Sequence, residues 1–517
     1  MRPVRAAVVL VLIVCTLALP LAVARQADDV TPTSDITVIE SDTRLATEGR
    51  IFVGPYSRFQ WHHPGPLLFY TLAPFYASSG GKTTGLSAGA LAVNLASLLI
   101  ALWALARHAS PMLRITLSVA LGVACLRLPS LLVSPWNPHV PVLPLLALLV
   151  VTAAACAGTC RALPVAAALA SFIAQSHVGL LPIALAMGAI AVAGTLWRWR
   201  DLGGFDGAVV AGTTGLVVTA AWAPVVIDQV IETPGNLTLL WQFFSAPRPT
   251  PDAGVAVSAW ADMLSGLLRP DLYVATGGSF VESPVRWAEA LALVQVAGLM
   301  AIAIVTRRPI ERTLAVVLLI ASGIGLWSAL QTDRDMADHA VFWIVAIGAL
   351  NLSLLTAATV SMLLPAAERR IVAGAPIAGS AAIVLALGLG LQQLAHEVAR
   401  SHAPGPESIA AAAVADDVRR ILRREQSSSV LIRFDQDAWG MVAGVVLRLQ
   451  KAGVDVRVED DWLVMFSPAF RPSGDEPVVV TVVGTAQHLR LADNPETPAV
   501  SARGILFAHR TGHGRGA

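Results

Sequence analysis

Apolar residues run along this chain in long blocks separated by short polar stretches. AAVVLVLIVCTLALPLAVA fills 6–24, and further blocks lie near 86–106, 115–134, 139–159, 162–175, 178–196, 207–226, 288–305, 313–330, 340–362 and 371–392. Most have the roughly 17–25 residues that a helix needs to cross the hydrocarbon core of a bilayer. The pattern predicts about eleven transmembrane helices. A shorter apolar stretch at 67–77 predicts a half-embedded helix. The polar stretches supply the orientation. Arg107/Arg114, Arg161, Arg198/Arg200, Arg307/Arg308/Arg312 and Arg369/Arg370 share one side with the N-terminus. The alternate loops, 25–66, 134–139, 175–178, 227–287 and 331–339, hold most of the loop carboxylates. Cytoplasmic loops carry the excess of Lys and Arg. The N-terminus is therefore predicted to be cytoplasmic, and the alternate loops and everything from about 393 to be extracytoplasmic.

The period changes near residue 395. IAAAAVADDVRRILRREQ (408–425) has the spacing of an amphipathic helix. SVLIRF (429–434) reads as a strand, and 438–453 as a helix stopped by Gly453. VDVRVE (454–459) and PVVVTVV (477–483) read as further strands, and HRTGHGRGA at the end as disordered. The expected architecture is thus an all-α polytopic membrane domain over 1–395 and a small extracytoplasmic α/β domain over 396–517. The second domain shows no clustered Asp, His or Cys triad. It reads as a separable module that modulates acceptor choice.

Composition narrows the function. The chain is 55% hydrophobic and 14% charged, against about 25% charged in soluble proteins. Its net charge of +1 gives no electrostatic footprint for nucleic acid. Cys15, Cys125, Cys156 and Cys160 all lie in apolar blocks, which argues against a disulfide framework. Cys156 and Cys160 share a helix face but lack the further ligands of a metal site. The sequence indicates no metal or other cofactor. GGKTT at 80–84 is not a phosphate loop, because the first glycine of that motif falls on Tyr76.

The most unusual polar stretch is the first outer loop, RQADDVTPTSDITVIESDTRLATEGRIFVGPYSRFQWHHPGPLLFY. ITVIE (36–40) alternates like a short strand or packed turn. Pro64 and Pro66 stiffen the chain as it re-enters the membrane, and Gly65 permits close backbone approach. Tyr56, Trp61, Phe69 and Tyr70 suit the interfacial zone. Elsewhere, Trp136-Asn137-Pro138 reads first as turn chemistry. Arg127 lies towards the outer end of its span, where a charge either faces a polar cavity and binds phosphate, snorkels to the interface or makes a structural pair. Gln175 and His177 sit at an outer helix end. Arg334, Asp335, Asp338 and His339 read as a surface charge cluster.

These motifs resemble the glycosyltransferase C (GT-C) superfamily of membrane glycosyltransferases, in the branch of the aminoarabinose and protein O-mannosyl transferases. The resemblance spans roughly residues 5–395. It rests on Asp35, Glu40, Tyr56-Ser57-Arg58, His63-Pro64-Gly65-Pro66 and Phe69-Tyr70, with Trp136-Asn137-Pro138, Gln175, His177 and Pro234-Gly235-Asn236 as further matches. It departs where better-known members carry adjacent Asp-Glu and Lys-Pro-Pro. The resemblance implies transfer of a sugar from a polyprenyl-phosphate donor to a glycan, lipid or protein acceptor on the extracytoplasmic face of the plasma (inner) membrane. Asp35 or Glu40 would be the base. Arg58, His63, Arg44 and Arg127 would face the donor phosphate. Tyr56, Trp61, His62, Tyr70, Gln175 and His177 would line the substrate site. The alternative is a transporter or lipid-carrier flippase. Transporters show repeat halves and buried midplane ion pairs, whereas this chain gathers its carboxylates in outer loops.

Overall fold

A computed structural model describes residues 14–106, 108–269, 284–365 and 374–483, and the backbone of 505–510. Most of the first apolar block, the Arg107 and Arg369/Arg370 positions and residues 511–517 lie outside the described residues. The apolar blocks became helices close to where their lengths put them. Helix α1 (Ser34–Thr47) precedes a two-residue hairpin, β1 (Tyr56–Ser57) and β2 (Trp61–His62). Then follow α2 (Leu67–Ser78), α3 (Thr83–Leu105), α4 (Pro111–Arg127), α5 (Val142–Cys156), α6 (Leu163–Ser176), α7 (Leu181–Trp197) and α8 (Gly204–Ile231). After these come α9 (Asn236–Ser245), α10 (Ala253–Leu264), α11 (Arg286–Val305), α12 (Pro309–Leu330), α13 (Ile344–Leu363) and α14 (Ala375–Ser401).

Seven of the described helices are long and apolar enough to cross a membrane, and several shorter apolar helices pack among them. The chain is a multi-pass membrane protein. The caps follow local chemistry. Ser110 accepts the Leu113 N–H at 3.1 Å, with Pro111 at the first helical position of α4. Helix α5 is the centre of the bundle. Fourteen of its residues, Val142 to Ala155, are buried, as expected of a helix apolar on every side. The perimeter is apolar too. Leu216, Ile304, Met362 and Val384 project from α8, α11, α13 and α14 into the surroundings, a surface that suits lipid.

Two expectations change. ITVIE is helical, because α1 is clamped between α2 and the C-terminal domain, with nine of its residues buried. Packing on both sides outweighs the modest helix propensity of its β-branched residues. The stretch 227–287 is not an open loop throughout. It contains α10, a buried helix packed on α11, α12 and α13.

The C-terminal domain has α15 (Pro406–Arg424), β3 (Ser429–Phe434), α16 (Trp439–Lys451), β4 (Asp455–Val458), β5 (Val478–Val483) and β6 (Ile505–Arg510). Its sheet runs β4-β3-β5-β6, parallel except for the β5–β6 pair. Gly453, at φ +76°, follows the last turn of α16 and lets the chain reverse into β4. The expected disorder from His509 onwards is corrected in part. His509 and Arg510 pair with Val479 and Val478 in the edge strand.

All five outer loops assigned by charge parity meet at one end of the bundle. Arg58 reaches Asp333, His62 reaches Asn236, Trp136 reaches Asp35, and His63 reaches Val178. The C-terminal domain sits at this same end. Arg161 pairs with Asp206, and Arg198 with Asp201, in the loops of opposite parity.

Candidate active site

The site begins with the route of the chain into the membrane. Tyr56 lies opposite His62, and Ser57 opposite Trp61, in the hairpin. The hairpin returns the chain so that Gly54 and Gly65 lie together. A Cβ on Gly54 would stand 2.5 Å from the Gly65 carbonyl, and one on Gly65 would overlap the Gln175 amide. Only glycine fits either place. Asn236 holds the outer side. Its Oδ1 accepts the His62 N–H at 2.8 Å, and its Nδ2 donates to the His62 and His63 carbonyls at 3.0 and 3.3 Å. Its own N–H is anchored on Asp228 at 2.9 Å.

On this frame stands Asp35, half-buried in the first turn of α1. One carboxylate oxygen accepts a short hydrogen bond from the Tyr56 hydroxyl, and the other accepts the Trp136 indole N–H at 3.0 Å. Both donors are neutral, and among the described residues Asp35 makes no ion pair. A carboxylate has about four acceptor positions on its two oxygens, so it is oriented and still able to accept a proton. The Tyr56 phenol is held well above its usual range by burial and by Asp35, which keeps it a donor.

Around Asp35 gather imidazoles from three elements. His63 stacks on His177 with centroids 4.8 Å apart, and Trp136 lies 5.3 Å from His339. His63 is buried and its pKa is pushed well below the usual value, chiefly by burial and then by His177. Its Nδ1 accepts the Val178 N–H at 2.9 Å. A neutral ring that accepts at Nδ1 carries its proton on Nε2. His177 is pushed down to about 3 by burial, and its Nδ1 accepts the Gly179 N–H at 3.2 Å. His63 and His177 are therefore neutral donors. The positive charge at the mouth is Arg58, which is exposed, 2.9 Å from Asp333, and lies over the Phe59 ring.

The other candidates go elsewhere. Glu40 is wholly buried and held by Lys451 at 2.6 Å, Thr83 at 2.6 Å and Tyr76 at 3.3 Å. It is tied into the C-terminal domain, on a different face from Asp35. Arg44 stays along its own helix beside Glu48, at 3.7 Å. Arg127 donates to the Leu267 and Arg269 carbonyls. Gln175 spends its amide on the Leu67 N–H at 3.2 Å and the Ala221 carbonyl at 2.8 Å. Tyr70 donates to the Ile51 carbonyl at 3.0 Å. Trp61 is buried against His63, Phe243 and Phe244. His62 turns its ring towards Val464 of the C-terminal domain and is lowered to about 4 by burial.

Three residues join the site beyond the candidates: Trp136, Asn236 and His339. Asp338, expected at the surface, is buried. The signal was present in Trp136-Asn137-Pro138, an indole set just before a span and facing the loop that carries Asp35. Asp42, two helical turns on from Asp35, is buried and its carboxyl is raised well above the usual range by burial. Among the described residues no group of three or more His, Cys, Asp or Glu is placed to hold a metal ion.

Two clefts flank the hairpin. One of about 200 Å³ lies between α2 and α8, lined by Pro66, Leu67, Tyr70, Ala220, Ala221 and Pro224. The other, about 360 Å³, is walled by 49–53, Asp228, Ile231 and Glu232 and closed by Ser467–Ala469 of the C-terminal domain.

No family model matches the chain, and no curated protein matches it in sequence. Among solved structures it is similar to the crystal structure of ArnT from Cupriavidus metallidurans bound to undecaprenyl phosphate. The TM-score is 0.50 at 14% identity, over 97% of this chain and 98% of that one. The same protein in the apo state gives 0.50 at 12% identity, over 98% of each chain. The chain shares its fold with ArnT. The polytopic helical architecture expected from the apolar blocks is the one found. The cryo-EM structure of the arabinofuranosyltransferase AftD from Mycobacteria scores 0.36 at 14% identity, over 90% of this chain and 32% of that one, too low to add to the assignment.

Proposed function

We propose that this chain is an integral membrane glycosyltransferase that moves a sugar from a polyprenyl-phosphate donor to a cell-envelope acceptor, on the extracytoplasmic face of the plasma membrane. The carrying observation is Asp35, a carboxylate oriented by two neutral donors at the mouth of the bundle, with Arg58 and the His63–His177 pair nearby. Undecaprenyl phosphate, bound in the crystal structure of ArnT, is the kind of donor carrier that such a mouth would receive.

The chemistry runs as follows. The acceptor hydroxyl gives its proton to Asp35 as its oxygen attacks the anomeric carbon. The bond from that carbon to the phosphate oxygen breaks, and the polyprenyl phosphate leaves with the electron pair. Arg58 and the Nε2–H groups of His63 and His177 stabilise the charge growing on the phosphate. The apolar cleft beside Pro66 and Tyr70 suits the first isoprenoid units. The larger cleft under Ser467, where Arg50, Asp228 and Glu232 stand among apolar side chains, suits the acceptor.

A purified-protein assay with a panel of polyprenyl-phosphate sugars tests this reading. Sugar release or transfer is expected with at least one donor. Asp35→Asn keeps the shape and should lower the rate about 10²–10⁴-fold, while Glu40→Gln, whose amide oxygen can still accept from Lys451, should lower it far less. Wild-type rates from Asp35→Asn, with a donor that the enzyme does use, would sink the assignment of the base.

A further inference from the structure

Helix α1 is held from two sides, and one of them is the C-terminal domain. Lys451, the last residue of α16, places its ammonium 2.6 Å from Glu40 Oε1 and 2.8 Å from Asp29 Oδ1. Glu40 is 0% exposed, and Lys451 is raised by these two carboxylates against the lowering effect of burial. The same Glu40 accepts from Tyr76 of α2 and Thr83 of α3. A single carboxylate thus joins the membrane bundle, the helix carrying Asp35 and the outer domain.

The contact extends along the approach to α1. Asp28 meets His402 at 2.9 Å, Thr33 donates to Glu407 at 3.2 Å, Arg448 donates to Thr31 at 3.4 Å, and Ser41 donates to Gln450 at 3.0 Å. Backbone approach is close enough to demand glycine. A Cβ on Gly444 of α16 would stand 2.8 Å from the Pro32 carbonyl and 3.1 Å from the Ala411 methyl. Pro32 lies three residues before Asp35.

We propose that Lys451 is a positioning residue of the Asp35 site, and that the docked C-terminal domain is a working part of the catalytic unit. Glu40 lies five residues beyond Asp35 on one rigid helix, about 7.5 Å along its axis. Catalytic groups need placing to within roughly 0.5 Å. The clamp at Glu40 fixes the rotation and height of α1, and so the meeting of Asp35 with Tyr56 and Trp136. This corrects the expectation of a separable module. It rests on the transferase reading only for its catalytic consequence.

The test uses the full chain in detergent, labelled with 5-fluorotryptophan. The Trp136 resonance, assigned by its loss in Trp136→Phe, reports the indole bond to Asp35 and should shift in Asp35→Asn. Lys451→Met strands a buried carboxylate, and Gly444→Leu wedges the domains apart with every charge intact. Both should move the Trp136 resonance as Asp35→Asn does. Both should also speed amide exchange across 34–47, by about a hundredfold for Lys451→Met. The double variant Glu40→Gln/Lys451→Met removes both charges and should recover much of the protection. With a donor that the enzyme uses, kcat should fall while donor KM stays within about twofold. An unmoved Trp136 resonance in both Lys451→Met and Gly444→Leu overturns the proposal, as does unchanged kcat with a shifted resonance. Absence of any turnover in the wild type would count against the transferase reading, and the resonance experiment would still decide this one.

Discussion

Asn236→Ala should open the hairpin that presents the site. The side chain makes three hydrogen bonds to the backbone of His62 and His63. His63 C=O keeps a second partner, the Gly54 N–H at 3.2 Å. The cost therefore falls mainly on the His62 N–H and carbonyl. A buried polar group left without its partner costs about 1–3 kcal/mol, so the two together come to roughly 2–6 kcal/mol. The α9 helix should persist, because the anchoring bond to Asp228 uses the Asn236 backbone. The opening should be local. Amide exchange measured by mass spectrometry on peptides covering 54–66 should rise at least about 30-fold, and by up to about 10⁴-fold. Donor turnover should fall with it, since Tyr56, opposite His62, orients Asp35. Asn236→Asp keeps an acceptor for the His62 N–H and should lie between. A rise under about threefold, or one spread evenly along the chain, would refute the clamp, because local openings differ in free energy from global ones.

Acidification should loosen the same region. His62 and His177 are held at about 4 and about 3 in the folded chain, against 6.5 when exposed. Their folded values are depressed, so the unfolded chain binds more protons below 6.5. Stability present at pH 7 is lost as pH falls from 6.5 towards 4, about 2 kcal/mol for each by pH 5. Thermal midpoints at pH 7 and pH 5 should differ in the wild type and differ less in His62→Gln; equal differences would show that His62 is not the titrating group. Gly65→Ala should cost about 1–3 kcal/mol through overpacking against Gln175 and Val225, read as a lowered melting temperature, and an unchanged one would mean that the backbone shifts freely. Arg127→Gln should lower stability without weakening donor affinity, because its donors are spent on the Leu267 and Arg269 carbonyls; weaker donor binding at unchanged stability would restore Arg127 to the phosphate.

The membrane architecture was legible because a transmembrane helix writes its length and apolarity into contiguous sequence. The charge parity was legible for the same reason. It brought 25–66, 134–139, 175–178 and 331–339 to one side, and the structure joins them. Contacts across the chain were not legible. ITVIE satisfies a period of two, and only the packing of α16 and α2 on α1 decides that it is helical. Asp35 and Glu40 look alike as acids in one loop. What separates them is Lys451, more than four hundred positions away. Gln175 has the composition of a ligand-binding residue, and the partners that absorb its amide, Leu67 and Ala221, lie on two other helices. Trp136 was quoted as a match yet read as a turn, since nothing local says where an indole N–H will point.

The spread of the site along the chain also sets an order for its biogenesis. Asp35 meets Trp136 across 101 positions, His62 meets Asn236 across 174, and Arg58 meets Asp333 across 275. The ribosome must pass each of these in turn, at roughly 5–20 residues per second. Through that interval the first loop waits without the partners that hold it in the finished fold. Glu40 waits longest. Its countercharge arrives only with Lys451, when most of the chain has been made. A nascent protein that stalls between these points holds an acid with no ammonium beside it and a helix with one side uncovered. That makes the partly synthesised loop the segment most open to proteolysis, and completion of the C-terminal domain the event that withdraws it.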